Sequence, residues 1–207
     1  GFIVYPTYRI IENKAFVYLF GRLENGESFL TINEFKPYFF IQKKDLKKAL
    51  NIASFRYEEC DLKTFEGKNT IKIVLDTPKE VPELRKILSN NLIHTYEADI
   101  RFAYRFMFDK NLLGSLNIEG EYKKGNYVNR IYEEPTITSS DWKPKLKVLS
   151  IDIETDKTAK QLYSISLHTD NYSKAMIISN KKLKNHLSLK DEKTLLETFK
   201  EKLIELD

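Results

Sequence analysis

Residues 147–155, which read KVLSIDIET, constrain the fold of this chain more than any other stretch. Apolar and polar side chains alternate there with a period of two, which is typical of a β-strand whose side chains point to opposite faces. Ile151 and Ile153 are predicted on one face, and Asp152 and Glu154 on the other. The two carboxylates are therefore expected about 7 Å apart, on the same side of an otherwise apolar strand.

Such an acidic pair points to a metal site. Burying carboxylates beside apolar residues is unfavourable unless a positive charge compensates them, and Mg²⁺ favours carboxylate oxygens together with water and substrate phosphate. The pattern predicts a metal-dependent nuclease site, with Mg²⁺ or Mn²⁺, at the end of a strand. The spacing alone does not decide this, because it recurs at three pairs where solvated surface is expected. Those pairs are Glu59/Asp61, Glu97/Asp99 and Glu119/Glu121.

Composition favours a folded protein without a membrane span. The chain has 207 residues, 42% of them hydrophobic, enough for a core in one large or two small domains. No apolar run approaches the length of a membrane span and no signal-peptide pattern precedes Phe2, so no membrane partner is expected. The single Cys60 excludes an internal disulfide and suits a reducing cytosol. The net charge of +4 permits binding to nucleic acid without requiring it.

Residues 2–33 predict an antiparallel β-meander. Phe2–Ile11, Ala15–Arg22 and Ser28–Asn33 are rich in β-branched and aromatic residues, which favour strands. Asn25-Gly26, between the second and third strands, is typical of a hairpin because this pair readily adopts the positive φ angles of tight turns.

The next segment predicts the element order β-α-β-β-α-β. The strands are expected at 38–41, 55–65, 70–75 and 93–97, and the helices at 43–51 and after Thr77. Residues 77–80 have the form of a capping box, although Pro82 is an alternative helix start. Ferredoxin-like and RNA-recognition folds share this order. The latter stack bases on exposed sheet aromatics, for which Tyr38, Phe39 and Phe40 are candidates, although core packing is expected of at least two of them.

The rest of the chain predicts a second domain and an α+β fold overall. A helix is expected at 101–110, two short strands at 116–122 and 127–132, and a linker at 133–146 between domains 1–132 and 147–207. Strands at 146–154, 161–168 and 174–179, followed by a helix at 192–206, match the first part of a ribonuclease-H-like fold. The acidic pair would lie on the first, central strand of that fold.

Four motifs that lie apart in the chain carry a common resemblance, and one of them contains residues 152–155. They are FKPYFF at 35–40, YEADIRF at 96–102, Glu119-Gly120-Glu121 with Val128-Asn129, and LKVLSIDIET at 146–155. Together they resemble family B DNA polymerases over essentially the whole chain. The resemblance is closest to the bacterial DNA polymerase II group, and next to the archaeal replicative polymerases.

The resemblance implies a 3′→5′ proofreading exonuclease joined to a DNA-directed DNA polymerase. Asp152 would bridge two metal ions, and Glu154 would ligate one of them and orient the attacking water. The implied partner is DNA, as single-stranded template and primer 3′ end, and the implied location is the cytoplasm at the nucleoid. The family's later exonuclease motifs and polymerase domains lie beyond Asp207. We therefore expect an N-terminal fragment that does not hold both ions, is inactive alone, and has the rest of the polymerase chain as a partner.

Two other functions remain open. Residues 1–132 could grip single-stranded nucleic acid beside a vestigial nuclease domain. Alternatively, the chain could be a stand-alone exonuclease with an accessory domain.

The resemblance also implies a pocket for a template base. Archaeal members capture uracil in the template strand, and the pattern of their pocket matches Tyr8, Pro37, Pro78, Val81 and Phe102. Such a pocket would work by shape, accepting the flat uracil ring and excluding the methyl group of thymine. All five are also ordinary core residue types, and uracil capture is not expected of the bacterial polymerase II group.

Overall fold

The computed structural model describes residues 1–181, 184 and 186–206. The fold is α+β and divides into two compact units, Gly1–Pro144 and Lys145–Asp207. The elements, in chain order, are β1 (Phe2–Ile11), β2 (Lys14–Arg22), β3 (Ser28–Glu34), β4 (Tyr38–Gln42), a 3-10 turn (Lys43–Asp45), α1 (Leu46–Leu50), β5 (Arg56–Lys63), β6 (Asn69–Val74), α2 (Glu80–Asn90), β7 (Thr95–Tyr96), α3 (Phe102–Asp109), β8 (Leu116–Glu119), β9 (Arg130–Glu133), β10 (Thr136–Ser139), β11 (Ser150–Thr155), β12 (Leu162–His168), β13 (Ser173–Ile178), β14 (His186–Leu189) and α4 (Glu192–Leu206).

The first sheet of Gly1–Pro144 is the predicted meander with one strand added. β1, β2 and β3 are antiparallel, and β9 pairs with β3 in parallel. Glu12 and Asn13 have φ angles of 48° and 61°, the left-handed conformation that a two-residue hairpin turn requires. Val17 and Leu19 on β2 are fully buried and share a core with Phe106 of α3.

The second sheet has the strand order β5-β6-β4-β7 with antiparallel pairing throughout. Its elements follow the predicted order β-α-β-β-α-β. Phe39 and Ile41 on β4 are fully buried in a core with Leu84 and Leu88 of α2. α2 begins at Glu80, later than the capping box predicts and earlier than Pro82. The Glu80 carboxylate nevertheless accepts a hydrogen bond from the Thr77 N–H, as in the predicted capping box.

The remainder of Gly1–Pro144 pairs differently from the prediction. The two short strands expected at 116–122 and 127–132 are shorter than predicted, and a single antiparallel bridge between Lys123 and Ile131 links the two segments. β8 pairs with β10, and β9 pairs with β3. β10 falls inside the range 133–146 that was predicted as a linker, and the boundary between the compact units follows Pro144. The domain limits stay a prediction.

Lys145–Asp207 contains one sheet and one helix. β11, β12 and β13 are antiparallel, as predicted, and β14 adds to β13 in parallel. α4 packs over the middle of the sheet, where Ile165, Leu167 and Met176 are buried in a core with Leu195 of the helix.

The prediction that β11 is central differs from the described sheet, in which β11 is an edge strand. The core beneath α4 is built from β12 and β13, and it leaves β11 largely uncovered. Ile151 and Ile153 were predicted on an apolar face, but they are 47% and 56% exposed for this reason.

Candidate functional site

The acidic pair lies on an open polar face of β11. Asp152 pairs across the strands with Ser166, and Glu154 pairs with Ser164. Directly opposite residues share a sheet face, so short hydroxyl side chains stand beside both carboxylates. Every residue from Ser150 to Glu154 is exposed. Asp152 and Glu154 are therefore neighbours on one face and are accessible to a ligand.

The strand ends in a turn that Asp156 holds. Its carboxylate accepts hydrogen bonds from the Thr158 hydroxyl at 2.6 Å and from the N–H groups of Lys160 and Gln161 at 2.6 and 2.9 Å. The Thr158 hydroxyl, followed by the Gln161 N–H, lowers the pKa of Asp156 to about 2. The pairing register also shifts directly after Glu154, and such bulges re-aim side chains beside functional sites.

The two carboxylates fit part of a Mg²⁺ or Mn²⁺ site, because carboxylate oxygens are the ligands that these hard cations prefer. Within residues 1–181, 184 and 186–206, no group of three or more His, Cys, Asp or Glu side chains is placed to hold a metal ion. Two ions with open water positions need more ligands than one acidic pair supplies.

The five residues predicted to form a base pocket line a single cavity within Gly1–Pro144, with a volume of about 530 Å³. Tyr8 on β1 and Phe102 at the start of α3 meet edge to face, with ring centroids 5.4 Å apart. Pro37 is buried, and Pro78 and Val81 are partly buried. The fold thus gathers these distant positions around a space in the size range of small-molecule sites.

The sequence reasoning missed a charged pair in the wall of this cavity. Arg105 on α3 is only 9% exposed and donates a hydrogen bond to the carboxylate of Glu97. Glu97 has a φ of 58°, a left-handed conformation that is uncommon outside glycine and often marks functional positions. Arg105 follows Phe102 by one helical turn, so a basic residue within an aromatic helical stripe was the available signal.

Tyr38 lies between Asp109 and the Arg105–Glu97 pair. Its hydroxyl donates to Asp109 at 2.6 Å, and burial, followed by that hydrogen bond, raises the pKa of Tyr38. The cationic groups of Lys72 and Arg105 lie over its ring, 4.4 and 4.8 Å from the centroid. Phe40 is only 6% exposed. Tyr38 and Phe40, two of the predicted stacking aromatics, are thus engaged within the protein.

A family model described as "DNA polymerase family B, exonuclease domain" matches residues 93–207. The chain belongs to the family B DNA polymerases. It is 29% identical to the DNA polymerase of Methanocaldococcus jannaschii over 97% of its own length, and 33% identical to that of Archaeoglobus fulgidus over 74%. It is also 27% identical to DNA polymerase II of Escherichia coli over 81%. The chain is therefore similar in sequence both to archaeal DNA polymerases and to DNA polymerase II, the two groups that its motifs resemble.

A solved structure shares the fold of this family B chain. The family B DNA polymerase from the hyperthermophilic archaeon Pyrobaculum calidifontis matches 100% of the chain with a TM-score of 0.69 at 19% identity. The chain spans only 13%, 21% and 21% of the three sequence relatives and 29% of that structure. It corresponds to a fragment of a family B polymerase that includes exonuclease-domain sequence. The helices of the described residues are all too short or too polar to cross a bilayer.

Proposed function

We propose that the intact protein synthesises DNA and removes nucleotides from the primer 3′ end, with this chain supplying the template-side N-terminal domain and the front of the 3′→5′ exonuclease domain. The proposal is carried by the exposed pair Asp152 and Glu154 on one face of β11, inside the region that matches the exonuclease family model. Its partners would be single-stranded template, the primer 3′ end and the rest of the polymerase chain, at the nucleoid in the cytoplasm.

The roles proposed for the two carboxylates are those that the family resemblance implies. Asp152 would contribute oxygens to both Mg²⁺ or Mn²⁺ positions, and Glu154 would contribute to one and orient the attacking water. When bound, the ions activate that water and stabilise the leaving 3′ oxygen. The side chains of Ser164 and Ser166 are small and leave room beside the two carboxylates. The turn held by Asp156 fixes the end of the strand.

The strand order within each compact unit supports a fold assignment for that unit. The strand order β5-β6-β4-β7 with antiparallel pairing supports a ferredoxin-like unit. The antiparallel run β11 to β13 followed by α4 supports the front of a ribonuclease-H-like domain. In that domain β11 would be central, so other strands of the polymerase would pair with its open edge and cover Ile151 and Ile153.

The test uses the intact polymerase. Asp152→Ala combined with Glu154→Ala should abolish nucleotide removal from a labelled primer and leave primer extension largely unchanged, because the two reactions would use separate sites. The matched control is Glu59→Ala with Asp61→Ala, an exposed acidic pair of the same spacing. The control should change neither activity. Extension that falls in parallel with removal would contradict a dedicated nuclease site.

Capture of template uracil is a second candidate function, favoured by the cavity that the five pattern residues line. Its apolar walls would admit the flat uracil ring, and the edge strand β1 would offer backbone groups to the polar edge of the base. Excluding one methyl group discriminates by about 1–3 kcal/mol, which corresponds to roughly 10- to 200-fold in affinity. A modest preference for uracil over thymine is therefore expected.

Fluorescence anisotropy with oligonucleotides that differ only in one uracil or thymine measures this preference. Val81→Gln should remove it by filling the cavity. Val148→Gln, at a position that is 76% exposed in the other compact unit, is the control and should leave the preference unchanged. Equal affinities of the unaltered chain for both strands would identify the five residues as core.

A further inference from the structure

The turn between β2 and β3 presents an asparagine followed by a glycine to solvent. Asn25-Gly26 is the only such pair in the sequence, and both residues are exposed. Nothing lies within 4 Å of the position that a Cβ on Gly26 would occupy, and its φ of 85° is a left-handed conformation that glycine adopts without strain. The backbone nitrogen of Gly26 therefore lacks the shielding that a side chain at that position would give.

The Asn25 side chain is folded back over this turn. Its Oδ1 accepts a hydrogen bond from the Glu27 N–H at 3.1 Å, which is the local bond of an Asx-turn. Its Nδ2 donates to the Glu27 carboxylate at 2.7 Å. The first bond polarises the amide carbonyl and holds Cγ beside the peptide that joins Asn25 to Gly26. A bond between that carbon and the Gly26 nitrogen would close a succinimide ring.

Glu27 connects Asn25 to β9. Its carboxylate also accepts a hydrogen bond from the guanidinium of Arg130, which is 25% exposed and lies 4.5 Å from the centroid of the Tyr122 ring. The hydrogen bond from Asn25, followed by that from Arg130, lowers the pKa of Glu27. The Asn25 amide thus helps to keep charged the carboxylate that Arg130 binds.

Asn129, which belongs to one of the sequence motifs, adds to this contact. Its Oδ1 accepts hydrogen bonds from the N–H and the hydroxyl of Ser28, both at 2.8 Å, and its own N–H donates to the Ser28 hydroxyl at 3.0 Å. We call Glu27, Ser28, Asn129 and Arg130 the hairpin clasp. The clasp holds the start of β9 beside the start of β3, a parallel pairing that no short turn fixes.

We propose that Asn25 deamidates spontaneously and that the product opens the hairpin clasp. The Gly26 N–H first leaves the Leu23 carbonyl, to which it donates at 2.9 Å. The Gly26 nitrogen then gives its proton to water and bonds to Cγ of Asn25, the Cγ–Nδ2 bond breaks, and the amide nitrogen takes a proton from water and leaves as ammonia. One water molecule opens the succinimide at either carbonyl, which gives aspartate or isoaspartate without any oxidant or reductant.

The product places a second carboxylate against Glu27, where a hydrogen-bond donor stood. Like charges at this distance disfavour the charged form of each other, so Glu27 loses part of its attraction for Arg130. The Nε of Arg130 is buried and has no hydrogen-bond partner among the described residues. The guanidinium therefore has little to replace Glu27, and the start of β9 should separate from β3 more often.

Incubation of the 207-residue chain in mildly alkaline buffer tests the modification. Isoelectric focusing should show the net charge fall from +4 to +3, and peptide mapping should find both aspartate and isoaspartate at position 25. Asn126 is the internal control, because it is exposed but is followed by the bulky Tyr127, and it should persist longer. Asn25→Ser keeps an acceptor for the Glu27 N–H, has no amide to lose, and should keep its charge.

Hydrogen exchange tests the effect on the clasp. Asn25→Asp and the deamidated fraction should both exchange the amides of Arg130–Glu133 faster than the unaltered chain, because these residues pair with β3. Exchange in β12, which belongs to the other compact unit, should stay the same. This comparison does not depend on how fast Asn25 reacts.

The two measurements can each overturn the proposal. Survival of Asn25 for as long as Asn126, or a charge change that persists in Asn25→Ser, would contradict deamidation at this turn. Equal exchange of β9 amides in Asn25→Asp and in the unaltered chain would contradict opening of the hairpin clasp.

Discussion

Tyr8 and Phe102 meet edge to face with their ring centroids 5.4 Å apart, joining the first strand of the chain to the first turn of α3. Neither residue has a local sequence reason to contact the other. Their contact forms part of the cavity wall, so the cavity depends on the docking of α3 against β1. Changes to this pair should therefore affect both the stability of the fold and the shape of the cavity.

The first prediction concerns the coupling of these two rings. Tyr8→Leu and Phe102→Leu should each lower the free energy of unfolding, and their effects should not add. An edge-to-face pair contributes about 0.5–1.5 kcal/mol beyond its buried area. The double variant should therefore lose less than the sum of the single variants by that amount. Urea unfolding of the four proteins measures the coupling, and strict additivity would show that the rings do not stabilise each other.

Gly21 on β2 leaves no room for a side chain. A Cβ there would meet the carbonyl oxygen of Phe2 and would lie 2.5 Å from the nearest ring atom of Phe29. Gly21→Ala should lower the free energy of unfolding by about 1–3 kcal/mol or more, as overpacking does. Thermal unfolding measures this, and an alanine variant as stable as the unaltered chain would contradict the close approach of β1 and β2.

Gly26 provides the control for Gly21. Nothing lies within 4 Å of its Cβ position, but its φ is 85°. The destabilisation by Gly26→Ala should be conformational, since alanine resists left-handed backbone. Gly26→Asn should recover much of the loss, because asparagine tolerates that conformation better.

Thr31 on β3 is fully buried, and its hydroxyl has no hydrogen-bond partner among the described residues. Thr31→Val keeps the shape and removes the unsatisfied group. It should raise the free energy of unfolding by about 1 kcal/mol or more. Thr70→Val is the matched control, because the buried Thr70 hydroxyl donates to the Leu62 carbonyl at 2.8 Å. Thr70→Val should therefore lower the free energy of unfolding. A change of the same sign in both variants would contradict an unsatisfied hydroxyl at Thr31.

Asp156 should titrate near pH 2. Its hydrogen bonds lower the pKa from the ordinary value of 3.8 to about 2 in the folded chain, so the charged form stabilises the fold. That contribution is present above about pH 4 and is lost as the pH falls through the folded pKa. NMR titration of the carboxyl group measures it. Thr158→Val should raise the midpoint of this titration, because it removes the hydroxyl that donates to Asp156. Thr169→Val should not, because the Thr169 hydroxyl bonds to the N–H of Asn171 instead.

The 207-residue chain alone should not degrade single-stranded DNA in Mg²⁺ or Mn²⁺. Asp152 and Glu154 do not supply enough ligands for two ions with open water positions. Incubation with end-labelled DNA checks this. Degradation that disappears in Asp152→Ala would show that the described residues suffice for the reaction.

Local patterns predicted the elements well where partners are close in sequence. The meander follows from alternating side chains and the turn at Asn25-Gly26, because each strand pairs with the next. The pairing of β9 with β3, and the short strand β14, had no such signal. Parallel pairing joins strands that are separated by long connections, so no short turn sequence between them predicts the pairing.

Helical periodicity predicted more burial than the fold provides. Helical spacing puts Leu50 and Ile87 on the apolar sides of α1 and α2, yet they are 41% and 43% exposed. Leu203 on α4 is likewise 40% exposed. A stripe at helical spacing shows which side is apolar, but the width of the covering sheet determines how much of that side is buried.

The acidic pair was predicted from its spacing on a strand, and the pocket residues from the family resemblance. The spacing of Asp152 and Glu154 requires only a strand, so their shared face could be predicted from the sequence. Arg105 stood out as a basic residue in an aromatic stripe, but its pairing with Glu97 could not be predicted, because the two side chains meet only after the chain folds. Which edge of β11 is open depends on strand pairing, and that is likewise set by the whole sheet.

The open edge of β11 has a practical consequence for the chain in solution. It presents unpaired backbone groups flanked by the exposed Ile151 and Ile153, and such an edge is a template for any other extended segment. In a concentrated sample, the most abundant such segment is the same strand of another copy. The stretch that carries the acidic pair is therefore also a place where this chain is prone to aggregate.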